Sequence, residues 1–244
     1  MALLSDRLKA VAKMITPGLT VADIGCDHAY LPIYLAKENI SPHIIACDIN
    51  TGPVKRAKDN VVDVDLSEKI EVRQGDGLSA VSAGEVSSVV IAGMGGKLMM
   101  KILSEGSMVL DGVEEIIMEP QSDVGPLRHF LQDKGYRIIS ESMVCEDDKF
   151  YPVIKAKHGT MDWDREIYFR YGKILLREED PVLHEFLVLE KQTLGNLLKE
   201  LSVNEDIPHV FVRMEEIKTD LALNADALHL VSEPGLFEVT RNLK

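Results

Sequence analysis

The chain has 244 residues, 45% hydrophobic and 27% charged, so it is long enough for one standard domain plus a small one and too apolar to be disordered. Its net charge of −13 excludes a generic, strongly basic nucleic-acid binder, although an acidic whole can still carry a local basic face. No stretch approaches the roughly 20 apolar residues that span a membrane, and the three cysteines (Cys26, Cys47, Cys145) are odd in number and lack metal-ligand spacing, which points to a reduced, cytoplasmic, metal-free protein.

Leu3 to Ile15 places Leu4, Leu8, Val11, Ala12 and Ile15 at helical spacing. The start has neither an apolar run nor a small-residue cleavage site, so no signal peptide is expected. Pro17-Gly18 breaks the helix. Leu19 to Ile24 is almost wholly apolar, the pattern of a strand covered on both faces. A helix follows over Tyr30 to Glu38, then a second buried run, His43 to Cys47, ending at Asp48. Pro53 suits the first turn of a helix reaching about Val62. Further strands are expected over Lys69 to Arg73, Val86 to Ala92 and Glu114 to Met118, with a helix over Lys97 to Leu103. Ser122 or Asp123 is positioned to cap the next helix, which runs through Leu131. Tyr136 to Val144 and Phe150 to Lys157 read as a closing antiparallel pair.

Alternating strands and helices over residues 19 to 135 specify a parallel sheet with right-handed crossovers. From about Asp162 helical periodicity takes over. Leu187, Leu194 and Leu201 recur every seven residues, with Leu183, Leu197 and Leu198 beside them. A helical hairpin follows, with a coiled-coil-like seam or ordinary helix packing, a loop at Asn204 to Pro208 and a partner helix over Val210 to Leu223. The expected fold is α/β, a Rossmann-like domain over 1–160 with a helical domain over 161–244. Glu166, Arg170, Lys173 and Arg177 form one helical stripe, read as a solvated face or an RNA contact.

The chemistry lies at the strand ends. The first strand closes in Asp23-Ile-Gly25-Cys26-Asp27-His28. Gly25 allows a sharp turn and close ligand approach, but Asp27-His28 stands where a pyrophosphate loop needs a second glycine. An acidic loop repels pyrophosphate and tolerates a cation such as the sulfonium and amino group of S-adenosylmethionine. Asp48, followed by Ile49 and Asn50, ends the second strand some twenty residues on, where a carboxylate can accept both ribose hydroxyls. Asp76-Gly77 ends the third strand, within reach of an adenine amino group. Gly93-Met94 follows the fourth, where amino methyltransferases often carry an Asn/Asp-Pro-Pro-aromatic motif that is missing here. A glycine-rich loop with one Met leaves room for a flat base. The other histidines share no spacing and read as surface or packing residues.

The strings Ala22-Asp-Ile-Gly-Cys-Asp-His-Ala-Tyr-Leu-Pro32, Asp48-Ile-Asn-Thr-Gly-Pro53, Gly75-Asp-Gly-Leu78, Ile91-Ala-Gly-Met-Gly-Gly96 and Glu119-Pro-Gln121, with Leu4-Ser-Asp-Arg-Leu8 ahead of them, resemble the bacterial tRNA (adenine(22)-N(1))-methyltransferase family. The resemblance covers about the first 160 residues, in order. It implies a class I methyltransferase that uses S-adenosylmethionine to methylate N1 of adenine 22 in tRNA, acting as a monomer without metal. It further implies that Asp23, Gly25, Cys26, Asp48, Ile49, Asn50, Asp76, Gly77, Gly93 and Met94 form the cofactor site. Asp27, His28, Tyr30 and Met94 would face the reacting base, with Tyr30 and Met94 as its apolar walls and Asp27 favouring charge on the ring. Asp27 has an alternative, structural reading: it caps the helix that begins near Tyr30 and orients His28. Arg7, Lys9 and Lys13 on the first helix and Arg170, Lys173 and Arg177 on the tail are candidate phosphate contacts. The rival readings are a small-molecule methyltransferase and a non-catalytic module that binds S-adenosylmethionine or RNA.

Overall fold

The computed structural model describes residues 4–204 and 206–232. Leu3, part of the expected loop at Glu205, and residues 233–244 of the expected helical domain lie outside the described residues. The chain divides into two compact units, Met1–Asp162 and Trp163–Lys244.

The first unit is built on one seven-stranded sheet. Helix α1 (Asp6–Met14) is capped by Ser5, whose hydroxyl accepts from the Leu8 amide. Then come β1 (Val21–Ile24), α2 (Tyr30–Lys37), β2 (Ile44–Asp48), α3 (Thr51–Asp63), β3 (Ile70–Gln74), β4 (Ser88–Gly95), α4 (Gly96–Glu105), the short α5 (Ser107–Leu110), β5 (Glu115–Ser122) and α6 (Val124–Asp133). The antiparallel pair β6 (Tyr136–Glu146) and β7 (Lys149–His158) closes the sheet. Every residue of β1 and β2 is buried, as strands covered by helices on both faces must be.

The strand order is β3-β2-β1-β4-β5-β7-β6. β1 pairs in parallel with both β2 and β4, so successive crossovers leave β1 in opposite directions. That reversal opens a crevice at the carboxyl ends of β1 and β4, where doubly wound sheets bind ligands. The last hairpin folds back, and it is β7, not β6, that pairs with β5. The fold is Rossmann-like, as expected.

The cap expected on α6 is not made. Asp123 occupies the N-cap position in the left-handed region, at φ 52°, and its side chain bonds no helical amide. Its carboxylate accepts from the Ser122 hydroxyl at 2.8 Å and lies 3.7 Å from Lys97 Nζ.

The second unit contains α7 (Glu166–Tyr171), α8 (Lys173–Arg177), α9 (Pro181–Leu201) and α10 (Pro208–Ser232). Gly172, at φ 93°, separates α7 from α8, so the expected continuous stripe from Glu166 to Arg177 is broken. Asp180 caps α9, accepting from the Val182 and Leu183 amides at 2.9 Å each, with Pro181 in the first turn. α9 packs on α10, as the hairpin reading expects. The leucine seam is closed at one end only. Leu183 and Leu187 are fully buried, while Leu194, Leu197, Leu198 and Leu201 are half-buried.

A polar network crosses this unit. Arg170 pairs with Glu190 at 3.1 Å and with Asp220, and Glu190 also accepts from the Tyr171 hydroxyl and the Asn224 amide. Burial and the Glu190 hydrogen bond both push the Tyr171 phenol above its ordinary value. Arg170 is thus an internal strut rather than a free phosphate contact.

Candidate active site

The loop after β1 carries the turn. Gly25 adopts φ 81°, a left-handed conformation that favours glycine, and a side chain there would also have to displace the flexible Met94 methyl. The amides of Gly25 and Cys26 both donate to the Cys47 carbonyl, at 2.8 and 2.9 Å. Asp27 (φ 46°) and Ala29 (φ 58°) are also left-handed. Ala29, fully buried, is the N-cap of α2 and makes no side-chain cap. Asp27 therefore does not cap α2. Its exposed carboxylate lies 3.5 Å from Arg56 Nη2 and 3.6 Å from His28 Nε2.

Two cavities meet at Gly25, Ala92 and Gly93. The smaller, about 280 Å³, lies beyond β2 and β3 and is lined by Asp48, Ile49, Asn50, Asp76, Gly77 and Met94, among others. Asp48 organises its rim. Its Oδ1 accepts from the Asn50 amide at 2.9 Å and its Oδ2 from the Asp27 amide at 3.3 Å. One backbone donor per oxygen leaves lone pairs for a ligand. Ile49, 54% exposed, is an uncovered apolar face beside it. Asp76 is exposed at the N-cap of a 3₁₀ turn, Gly77–Ala80.

The larger cavity, about 470 Å³, is lined by Asp23, Gly25, Cys26, Asp27, His28 and Tyr30 on one side and by Arg7, Gly93 and Gln121 on the other. The His28 and Tyr30 rings stack at 5.2 Å between centroids and 12° between planes. Asp23 is 5% exposed and has no hydrogen-bond partner among the described residues. Burial, and then the Asp48 charge, push its carboxyl up to about 7. Burial likewise pushes the Cys26 thiol up, so its sulfur belongs to the core, and pushes Cys47 up to about 12.

Met94 and Tyr30, both expected as apolar walls for the base, lie in different cavities. Met94 folds over Gly25 into the Asp48 cavity, while Tyr30 lines the other. Arg7, expected on an RNA-facing surface, is turned inward. It bonds Glu119 at 2.8 Å, lies 3.8 Å from Glu146, and sits over the Tyr151 ring. Glu119 is fully buried and also accepts from the Gly93 amide at 2.7 Å. Burial raises its carboxyl while Arg7 and the Gly93 amide pull it down, and the rise prevails. Glu119 and Gln121 were not among the expected site residues, and Arg7 was expected only as a phosphate contact. The signal that could have found them is the Glu-Pro-Gln string at the end of a strand beside the switch point.

Among the described residues, no group of three or more His, Cys, Asp or Glu could hold a metal ion, and no helix is long and apolar enough to cross a membrane.

Residues 4–154 match a family described as a methyltransferase domain. The chain is 34% identical to the tRNA (adenine(22)-N(1))-methyltransferase of Bacillus subtilis, over 94% of this chain and 96% of that one. The crystal structure of the B. subtilis m1A22 tRNA methyltransferase TrmK superposes with a TM-score of 0.85 at 33% identity, covering 93% of this chain and all (100%) of that one. The structure of Streptococcus pneumoniae Sp1610 in complex with S-adenosyl-L-methionine gives a TM-score of 0.84 at 34% identity, with coverage of 93% and 100%. The chain belongs to the tRNA (adenine(22)-N(1))-methyltransferase family.

Proposed function

We propose that this chain transfers a methyl group from S-adenosylmethionine to N1 of adenine 22 in tRNA. The observation that carries the reading is the meeting of two cavities at Gly25, Ala92 and Gly93. One is rimmed by strand-end carboxylates suited to a nucleoside, and the other holds a stacked aromatic pair suited to a base.

The residues present fit the cofactor. Asp48 keeps lone pairs for ribose hydroxyls, and Ile49, Asn50, Asp76 and Gly77 flank the place of a purine. Asp23, buried without a partner among the described residues, suits a cationic ligand, which would draw its carboxyl into the ionised form. Gly25, Cys26, Gly93 and Met94 border the passage between the cavities. When bound, S-adenosylmethionine supplies an electrophilic methyl on a sulfonium.

Adenine N1 carries a free lone pair at neutral pH, so the protein's work is alignment rather than deprotonation. Tyr30, braced by His28, offers a platform for a base taken out of its stack. The methylated ring is cationic, and the Asp27 carboxylate on the same cavity wall favours that charge. The second unit would grip the tRNA body, with phosphate contacts that weaken as salt rises. Lys13, exposed on α1, remains a candidate for such contacts, whereas Arg7 and Arg170 are engaged in ion pairs within the fold. The enzyme would act as a cytoplasmic monomer without metal.

The test is methylation of a tRNA transcript by purified protein, read by primer extension, because N1-methyladenine blocks base pairing. A stop at position 22 that vanishes when adenine 22 is replaced is expected. No methyl incorporation, or a stop elsewhere, would refute the reading.

A further inference from the structure

The register between β4 and β5 shifts twice in succession, between Ala92 and Met94 and again between Met94 and Gly95. Ala92 pairs with Glu119, Met94 with Pro120, and Gly95 with Ser122. Gly93 on β4 and Gln121 on β5 are each left out of the ladder, so two bulges stand back to back where the strands enter the larger cavity. Bulges next to active sites re-aim side chains out of the sheet plane. Here they free Gln121, whose amide is exposed and has no hydrogen-bond partner among the described residues.

The surroundings keep that amide uncommitted. A Cβ on Gly93, at φ 76°, would lie 3.5 Å from Arg7 Nη1 and 3.8 Å from Gln121 Nε2, so the glycine preserves a notch between them. Arg7 is held by Glu119, and Glu119 also holds the Gly93 amide. The frame of the notch is thus fixed by buried charge, and Gln121 is the neutral polar side chain presented on its rim.

We propose that Gln121 is the residue that reads the target adenine. This rests on the function proposed above. A carboxamide offers an acceptor and a donor side by side, which matches the N6 amino hydrogen and the N7 lone pair of adenine. Engagement of that edge leaves N1, on the other side of the amino group, open to the methyl. Guanine presents O6 and N7 on the same edge, two acceptors, and sets O6 against the amide oxygen. Gln121 therefore supplies both the orientation of N1 and the preference for adenine.

The test compares tRNA carrying adenine or 7-deazaadenine at the target position, which differ at the N7 acceptor. Wild type, Gln121→Ala and Gln121→Glu are assayed for kcat/KM, and S-adenosylmethionine affinity is measured by calorimetry. In wild type the 7-deaza substitution is expected to lower kcat/KM roughly tenfold. Gln121→Ala should lose about the same factor on adenine and be indifferent to 7-deaza substitution, with cofactor affinity unchanged within twofold. Gln121→Glu keeps an acceptor for N6 but not a donor for N7, and should behave like Gln121→Ala toward 7-deazaadenine. Equal sensitivity of wild type and both variants to the missing N7 overturns the assignment, as does a tenfold loss of cofactor affinity. Absence of methyl transfer by wild type to the adenine tRNA refutes the proposed function itself, and so separates the two failures.

Discussion

The strand-end carboxylates of the first unit and the charged network of the second are used in opposite ways. In the first, the carboxylates at the ends of β1, β2 and β3 face cavities and keep unused acceptor capacity: Asp48 takes one amide per oxygen, and Asp23 takes none among the described residues. In the second, Arg170, Glu190, Asp220, Tyr171 and Asn224 satisfy one another. A strand end at a switch point leaves polar groups over an open crevice, whereas a helix face turned toward its neighbours must pair them. The same residue types therefore signal a ligand site in one unit and a structural brace in the other.

The largest expected effect tests the open side. Asp27→Asn keeps the shape of the side chain and tolerates a positive φ. With the capping role absent, it should lower kcat by roughly tenfold to a thousandfold, with little change in cofactor affinity. Normal turnover in single-turnover assays would remove Asp27 from the chemistry. Asp48→Ala should weaken S-adenosylmethionine binding by about 1.5–3 kcal/mol, since it deletes a charged acceptor. Calorimetry showing an affinity within twofold of wild type would take the ribose out of its reach.

The closed side is tested by Arg170→Met, which leaves Glu190 and Asp220 facing each other without their cation. Because Arg170 is 31% exposed, a loss of about 1–2 kcal/mol of unfolding free energy is expected, below the range for a fully buried pair. The salt dependence of tRNA binding should not change. A lower salt slope in this variant would mean that Arg170 touches phosphate after all, and the contrast between the units would fail.

A further test is one of pH. The Asp23 carboxyl is raised from 3.8 to about 7. Between those values the folded protein holds a proton that the unfolded chain releases, so stability falls as pH rises from about 4 to about 7 and then levels off. Asp23→Asn should flatten that part of the curve, as measured by denaturant unfolding at a series of pH values. An unchanged slope would place the titration elsewhere.

Much of the fold was legible because its signals are local. Apolar runs mark β1, β2, β4 and β5, since parallel strands covered on both faces need unbroken apolar sequence, whereas β3, at the edge of the sheet, alternates apolar with charged or polar residues. The placement of β7 between β5 and β6 was not legible, because alternation within a hairpin does not say which member meets the rest of the sheet. The failed cap at Asp123 has a similar cause: its residue type is right, but its backbone is left-handed and its carboxylate is turned to Ser122.

At the candidate site the sequence by itself determined the acidic strand ends, Asp23, Asp48 and Asp76, and the turn at Gly25, because each lies beside its own strand in the chain. Only the tertiary structure decided that Arg7 points inward to Glu119, that Met94 and Tyr30 line separate cavities, and that paired bulges turn Gly93 and Gln121 out of the ladder. These facts depend on which strands are neighbours and on where their register slips. Neighbour order and register are set by packing across the whole sheet, over separations in which the chain carries no local pattern.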